Sequence, residues 1–480
     1  MPAVVFVTAF LDLGEDRSKD KSVETCFRHF NSLAQTGASI HLYLSPCYQK
    51  AYDTICRHHP NVLVEFVELS QLQTYQEIQD IDVQLPAVRT PHHDTRAFLT
   101  LMNAKAELLY RATNDAKAYG WSATHFAWVD FSIFHVFKNP QATADYLRML
   151  SDTRFRANCM LAPGCWSQPA SLFERVNWRF CGGFLLASVD RIIELNALYR
   201  EHFHRIVSEK GLTWEVNMMA HFEHAHGWRP DWFQADHNDT IVRVPPQYIP
   251  VVASLTTIPS RVAHCIAAID SLLPQVDHIY LSVCNEYKRF EHGWETPNVF
   301  LEEPYASKLT VVMSEDYGPA TKYIGSATVI PPNTWTFICD DDQVYHPTLI
   351  RRMMPSVIAP AVYQNHYRSI QQKTSGGLVH GYVGLLVNST ELVGLKRFPL
   401  PDVARFVDDQ WMSIYCFKNR LPVLPTAVEE YKDIFAVLQG WHEQIGPDSL
   451  AGLNNRAGMV QAIAEFFGVR FLKETIVSVG

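Results

Sequence analysis

Short apolar runs rich in β-branched residues alternate along this chain with longer segments whose apolar positions recur at helical spacing. Val4 to Phe10, Ile40–Leu44 and Val62–Val67 are predicted strands. A polar run through Lys21 and a helix around Val23–Leu33 follow the first of them. Arg96–Ala116 reads as one amphipathic segment, apolar at Phe98, Leu101, Met102, Leu108 and Leu109, with Lys105 inside it. A strand-like run then ends at Asp130. Val244-Pro-Pro-Gln-Tyr-Ile-Pro250 is proline-rich and is the predicted linker. Beyond it the alternation restarts, with strands at Val251–Leu255, His278–Val283 and Leu309–Met313 and helices near Val262–Leu273 and Ala320–Ala327. Strand–helix alternation of this kind predicts mostly parallel sheets with crossover helices. The expectation is two tandem α/β, Rossmann-like domains, over residues 1–246 and 247–480.

The strongest chemical signal is Trp335-Thr-Phe-Ile-Cys-Asp340-Asp341-Asp342, a buried-strand pattern that runs into three carboxylates. Adjacent acids repel one another, and a buried strand end tolerates them best around a cation. Side chains at i and i+2 of an extended segment point the same way, so Asp340 and Asp342 are predicted to share one ion. Carboxylate oxygens suit Mg²⁺ or Mn²⁺, which leave positions open for phosphate oxygens. Thr256, Thr257, Arg261, Asp316 and Lys322 follow the early strands of the same half, and a doubly wound sheet would gather them at that edge. The first half carries a weaker version. Trp128-Val-Asp130 has Ser132 at i+2, and further on come Gly182-Gly183, Trp214-Glu215 and Asp236-His237-Asn238-Asp239. His221, His224 and His226 lack the spacing of a helical metal face and read as a solvated helix end.

Composition narrows the class. At 480 residues and 54.8 kDa the chain exceeds one ordinary core. It is 47% hydrophobic and 19% charged, as globular proteins are, and its net charge of −9 argues against nucleic-acid binding. Ten cysteines without a CxxC pair indicate neither a zinc site nor a disulfide framework, and fit a reducing, cytoplasmic setting. The apolar opening is short, lacks a basic flank and reads as a strand rather than a signal peptide. No apolar run approaches the roughly 18 residues of a membrane span.

In the first half, Val7-Thr8-Ala-Phe10, Lys105, Trp128-Val-Asp130, Cys181-Gly-Gly, Trp214-Glu-Val-Asn and Ala235-Asp-His-Asn-Asp together resemble the HtrL/YibB family, which is similar to GT-A glycosyltransferases. That resemblance covers nearly all of residues 1–246. It implies that Asp130 stands at the metal site, with a donor side at Thr8 and Lys105, an acceptor side at Gly182, Gly183 and Trp214, and Glu215 as the catalytic candidate near the acceptor. His237, between Asp236 and Asp239, is either a second metal ligand or a turn residue. Ser132 departs from the Asp-x-Asp pattern. From about 250 to 465 the chain resembles GT-A glycosyltransferases more directly, through Thr256-Thr-Ile-Pro-Ser-Arg261, Asp316-x-Gly-Pro-Ala-Thr-Lys322, the Asp triplet and Val407-Asp408-Asp409-Gln-Trp411. Carried over, Asp342 is the principal metal ligand with Asp340, and Asp341 and Asp316 lie near the nucleotide. Gly381, Tyr382 and Trp411 face the acceptor, and Asp409 or Asp408 is the catalytic base.

These readings imply an enzyme using a nucleoside-diphosphate sugar, a divalent ion and a glycan or glycoconjugate acceptor, probed best by asking whether both halves work. A carboxylate base without a nucleophile implies inversion in the second half. The first half is either a second transferase or a glycan-binding or bracing domain. Nucleotidyl transfer is the rival for the whole, although the stretch after strand Val251–Leu255 is no glycine-rich phosphate loop. Paired-carboxylate glycoside hydrolysis fits less well beside basic residues.

Overall fold

The computed structural model describes residues 2–14, 22–56, 59–118, 120–121, 123–365, 378–436, 455–472 and 475–479. The polar run up to Lys21 and parts of the 250–465 stretch therefore lie partly outside the described residues. The chain forms two compact units, Met1–Tyr248 and Ile249–Gly480.

In the first unit the strands are β1 (Val4–Phe10), β2 (Ile40–Leu44), β3 (Val62–Phe66), β4 (His125–Val129), β5 (Met160–Gly164), β6 (Phe184–Ser188) and β7 (Asp231–Gln234). They lie side by side as β3-β2-β1-β4-β6-β5-β7. β6 alone runs against its neighbours β4 and β5; the other pairings are parallel. β1, β2, β4, β5 and β6 are buried almost throughout, as expected of strands covered on both faces. The predicted helix over 96–116 is two, Arg96–Asn103 and Lys105–Ala118, broken at Ala104. The break starts a new helix at Lys105 and buries its amine.

The second unit repeats the plan. Its strands are β8 (Val251–Thr256), β9 (His278–Cys284), β10 (Leu309–Ser314), β11 (Trp335–Ile338), β12 (Val362–Gln364), β13 (Leu385–Asn388) and β14 (Val423–Pro425). Their order is β10-β9-β8-β11-β13-β12-β14, again with one reversed strand, β13. Renumbered from its own start, this is the order of the first sheet. A small hairpin of β15 (Val469–Leu472) and β16 (Thr475–Ser478) follows. Helix 320–327 is shorter than predicted: a 3₁₀ turn, Gly318–Ala320, leads into Thr321–Ile324. Among the described residues no helix is long and apolar enough to cross a membrane.

The register makes the two units comparable residue by residue. In the first, Val4 pairs with His125 and His125 with Ser188; in the second, Val251 pairs with Trp335 and Trp335 with Asn388. Counting on from those rows, Asp130 corresponds to Asp340, Phe131 to Asp341, Ser132 to Asp342 and Phe10 to Thr257.

Candidate functional site

At the carboxyl edge of the second sheet lies a cavity of about 340 Å³, lined among others by Thr256, Thr257, Arg261, Asp316, Lys322, Tyr382 and all of Asp340, Asp341, Asp342, Asp408 and Asp409. Residues distant in sequence meet there because parallel strands all point their ends at one edge. β11 stops at Ile338, so the three aspartates occupy the loop beyond it rather than the strand. Alternation on a strand therefore does not orient Asp340 and Asp342; individual polar contacts do.

Lys322 is the hub. It is 4% exposed, and its Nζ lies 2.7 Å from Asp340 Oδ1 and 2.9 Å from Asp408 Oδ2. Burial would lower the pKa of that amine, but Asp340 and Asp408 outweigh burial and hold it well above its ordinary value. Lys322, expected to face the nucleotide-sugar, thus lines the cavity as a counter-ion to two carboxylates. Asp341 is also consumed internally. Thr257 Oγ1 donates to its Oδ2 at 2.6 Å, and Arg261 Nη1 lies 3.2 Å from its Oδ1 and 3.3 Å from Asp342 Oδ2. Burial raises Asp341 to about 6 despite Arg261. Asp340 donates its amide N–H to the buried Tyr345 hydroxyl, which fixes the loop from behind.

Asp340 and Asp342 stay accessible, their side chains 29% and 40% exposed against 9% for Asp341. Six carboxylates line the cavity against four basic side chains, Arg261, Arg289, Lys322 and Arg456. Two solvent-accessible carboxylates in an acid-rich wall are a donor set that fits Mg²⁺ or Mn²⁺.

Across the cavity, Asp408 and Asp409 open the helix Asp408–Lys418. Asp408 is bound to Lys322, whereas Asp409 accepts from the Tyr323 hydroxyl at 3.3 Å. Burial and the neighbouring Asp408 push Asp409 up to about 7. Gly381 lets this corner close: a Cβ there would lie 2.6 Å from Asp409 Oδ1 and 3.1 Å from Lys322 Nζ.

Other expected residues serve the scaffold. Asp316 lines the cavity but gives its oxygens to the backbone N–H groups of Lys288 and Gly318, each at 2.7 Å. Thr256 Oγ1 donates to Ser282 O. Trp411, expected on the acceptor side, is fully buried in the core with its indole N–H on Pro399 O. Sequence reading missed Tyr287, Arg289, Phe290 and Arg456 in this lining. It also missed Tyr323, the next residue to Lys322, whose hydroxyl donates to Asp409.

In the first unit the corresponding corner has the same lysine and acids with different surroundings. Lys105 Nζ lies 3.0 Å from Asp130 Oδ1 and 2.7 Å from Glu215 Oε1, and donates to Gly182 O at 2.8 Å. Glu215 opens its helix as Asp408 does, and a Cβ on Gly182 would lie 2.1 Å from Glu215 Oε1. The buried lysine between a strand-end aspartate and a helix-start acid is common to both units. Around it, Phe10 stacks on Phe131 at 4.4 Å where Thr257 bonds Asp341 in the second unit. Phe27 and Phe30 close on the same ring. The residue after Glu215 is Val216, where Asp409 follows Asp408. The cavity left beside Lys105 measures only about 20 Å³.

Further first-unit expectations are corrected. Thr8 is fully buried within β1, two residues short of its carboxyl end. Trp214 is a core residue whose indole N–H reaches Asp94 at 3.3 Å. Gly183 does lie beside Asp130, whose amide donates to its carbonyl at 3.0 Å, with Ile133 and Ile241 closing on the same spot. Asp239 accepts the N–H groups of Lys138 and Asn139 and the Thr143 hydroxyl, capping the helix Pro140–Ser151. His237, paired with Asp130 in the sequence reading, groups instead with Cys165 and Cys181. Of the histidines read as a solvated helix end, His221 is buried, and burial lowers it to about 4.

No family model matches the chain. No curated protein matches either. Among solved structures, it is similar to a 4-diphosphocytidyl-2C-methyl-D-erythritol synthase from Anaerococcus prevotii, with 12% identity and a TM-score of 0.27 over 40% of this chain and 94% of that one. It is similar to Rv0371c of Mycobacterium tuberculosis, solved with manganese, with 14% identity and a TM-score of 0.27 over 38% and 88%. It is also similar to the galactosyltransferase LgtC, solved with donor and acceptor sugar analogues, with 11% identity and a TM-score of 0.27 over 54% and 77%. Likeness this weak leaves the chemistry to be argued from the cavity itself.

Proposed function

We propose that the second unit is a divalent-metal-dependent glycosyltransferase and that the chain has one catalytic site. The observation that carries this reading is the convergence, in one cavity, of accessible Asp340 and Asp342 with Asp409, a carboxyl raised to about 7. An Mg²⁺ or Mn²⁺ ion on Asp340 and Asp342 would neutralise the diphosphate that departs from the sugar. Arg289 and Arg456 add positive charge to the lining, and Tyr287 and Phe290 offer rings against which a nucleotide base can stack.

Asp409 serves as general base. Its carboxylate takes the proton of an acceptor hydroxyl as that oxygen bonds to the anomeric carbon, while the bond to the diphosphate breaks and the diphosphate keeps the electron pair. A value near neutrality suits a base at physiological pH. Asp408 cannot compete for the proton as well, because Lys322 already holds it. Attack opposite the leaving group inverts the anomeric centre, so an α-linked donor gives a β-linked product; retention seen by NMR would remove Asp409 from this role. Lys322 positions Asp340 and Asp408 across the cavity, and Arg261 orders Asp341 and Asp342.

Thermal-shift screening of the full chain with nucleoside diphosphates plus Mn²⁺ tests the proposal. Wild type and Asp130→Ala should be stabilised alike, and Asp342→Ala should show no response. A response lost in Asp130→Ala and kept in Asp342→Ala would move the site to the first unit. Release of pyrophosphate from a nucleoside triphosphate would favour nucleotidyl transfer.

A further inference from the structure

The first unit carries a second cluster, unused by that chemistry, at the end of its own sheet. Cys165 directly follows β5, Cys181 precedes β6, and Asp236 and His237 follow β7. The Sγ atoms of Cys165 and Cys181 are 3.6 Å apart, and a ring nitrogen of His237 lies within 4.8 Å of both. Asp236 Oδ1 is 3.7 Å from Cys165 Sγ. None of the ten cysteines is in a disulfide.

These distances have a simple geometric meaning. Zinc–sulfur bonds of about 2.3 Å at tetrahedral angles set two thiolates about 3.8 Å apart, whereas a disulfide holds its sulfurs at about 2.05 Å. The observed sulfur separation matches an edge of the tetrahedron. Two sulfurs and an imidazole select zinc over Mg²⁺ or Mn²⁺, which take oxygen ligands. The surroundings hold the donors in place. The Cys181 amide donates to Pro163 O at 2.7 Å, and the Ala235 amide to Gly164 O at 2.8 Å. The His237 amide donates to Asp236 Oδ1 at 2.7 Å, and the Trp178 ring packs edge-on to the His237 ring at 4.5 Å. Cys181 is 1% exposed while His237 is exposed, so an ion can enter from the solvent side and find a buried sulfur.

We infer that Cys165, Cys181 and His237, with Asp236 or a water as the fourth ligand, bind one structural zinc ion that staples the ends of β5, β6 and β7. The staple closes the loop between Cys165 and Cys181. That loop leads straight into Gly182, whose carbonyl receives Lys105. The zinc therefore braces the lysine corner of a unit that has lost its catalytic carboxylates.

Metal analysis of the full chain, purified without added metal and under a non-thiol reductant, tests this. About one zinc per chain is expected. Replacement by Co²⁺ should give the thiolate-to-cobalt charge-transfer band and the strong visible bands of a tetrahedral site. Cys165→Ser, Cys181→Ser and His237→Ala should lose zinc and band, while Asp342→Ala keeps both, since carboxylates alone give no thiolate band. Differential alkylation of wild type covers variants that fail to fold: zinc should protect Cys165 and Cys181 by tenfold or more relative to the chelator-treated chain. Zinc content unaffected by the three variants, absence of a thiolate–cobalt band, or alkylation indifferent to zinc would each overturn the assignment, as would a Cys165–Cys181 disulfide under those conditions.

Discussion

Asp408 and Asp409 are neighbours of one residue type, and their surroundings divide their roles. Asp408 lies 2.9 Å from a lysine that is itself buried; Asp409 has a tyrosine hydroxyl at 3.3 Å and no cation in the same position. Burial and the charge on Asp408 therefore raise Asp409 to about 7. Because the base must be ionised, kcat/KM should climb with pH through about 7 and level off above it. Asp409→Asn should lower kcat by about 10²- to 10⁴-fold and abolish that limb, a change visible in a pH–rate profile. The same shift acts on stability with the opposite sense. The raised folded value means Asp409 favours the native state when protonated, an advantage present below 3.8 and lost as pH rises through about 7. Asp409→Asn should accordingly raise Tm at pH 8 more than at pH 4 while removing activity. A variant as active as wild type would return the base role to Asp408.

At the scale of elements, the helix Asp408–Lys418 and the turn Gly381–Val383 meet closely enough that only a glycine fits between them. Gly381→Ala would push a methyl group to 2.6 Å from Asp409 Oδ1, so the carboxylate must move. Since misplacing a catalytic group by about 1 Å can cost about 10²-fold, kcat should fall by roughly that factor. KM for the donor should change little, because Asp340 and Asp342 lie on another loop; steady-state kinetics with both substrates separates the two effects. The strands were legible in the sequence because β1, β2 and β8 are short, mostly apolar runs with only single polar residues, such as Thr8, His41 and Ser254, among them. The carboxylate cavity was legible for a related reason: parallel strands deliver their following residues to one edge. Other features depended on tertiary partners. Nothing in the 96–116 periodicity marks the break at Ala104, which packs fully buried in the core. Trp411 beside Asp409 looks like a site residue, yet it faces the core side of its helix and bonds Pro399. The cysteine–histidine cluster escaped spacing rules because its members come from the ends of three strands that neighbour one another only in the sheet.

Over the whole molecule, identical strand order and matching register give two similarly built units, of which the second gathers six carboxylates around its cavity. What both copies share is the lysine between two acids, Lys105 with Asp130 and Glu215, and Lys322 with Asp340 and Asp408. A buried ion triad retained where the surrounding carboxylates have become Phe131, Ser132 and Val216 has a structural duty independent of catalysis. Removing the lysine leaves one buried acid of each triad, Glu215 or Asp408, without its counter-charge, which costs about 3–5 kcal/mol. Lys105→Met and Lys322→Met should therefore destabilise their own units by similar amounts in calorimetry. They should differ in function. Lys322→Met loses sugar transfer, since Asp340 and Asp408 no longer hold their places across the cavity. Lys105→Met leaves kcat unchanged per folded molecule, measured below its lowered Tm. If Lys105→Met stays folded and transfer nevertheless collapses, the first unit takes part in the chemistry and a single-site enzyme is ruled out.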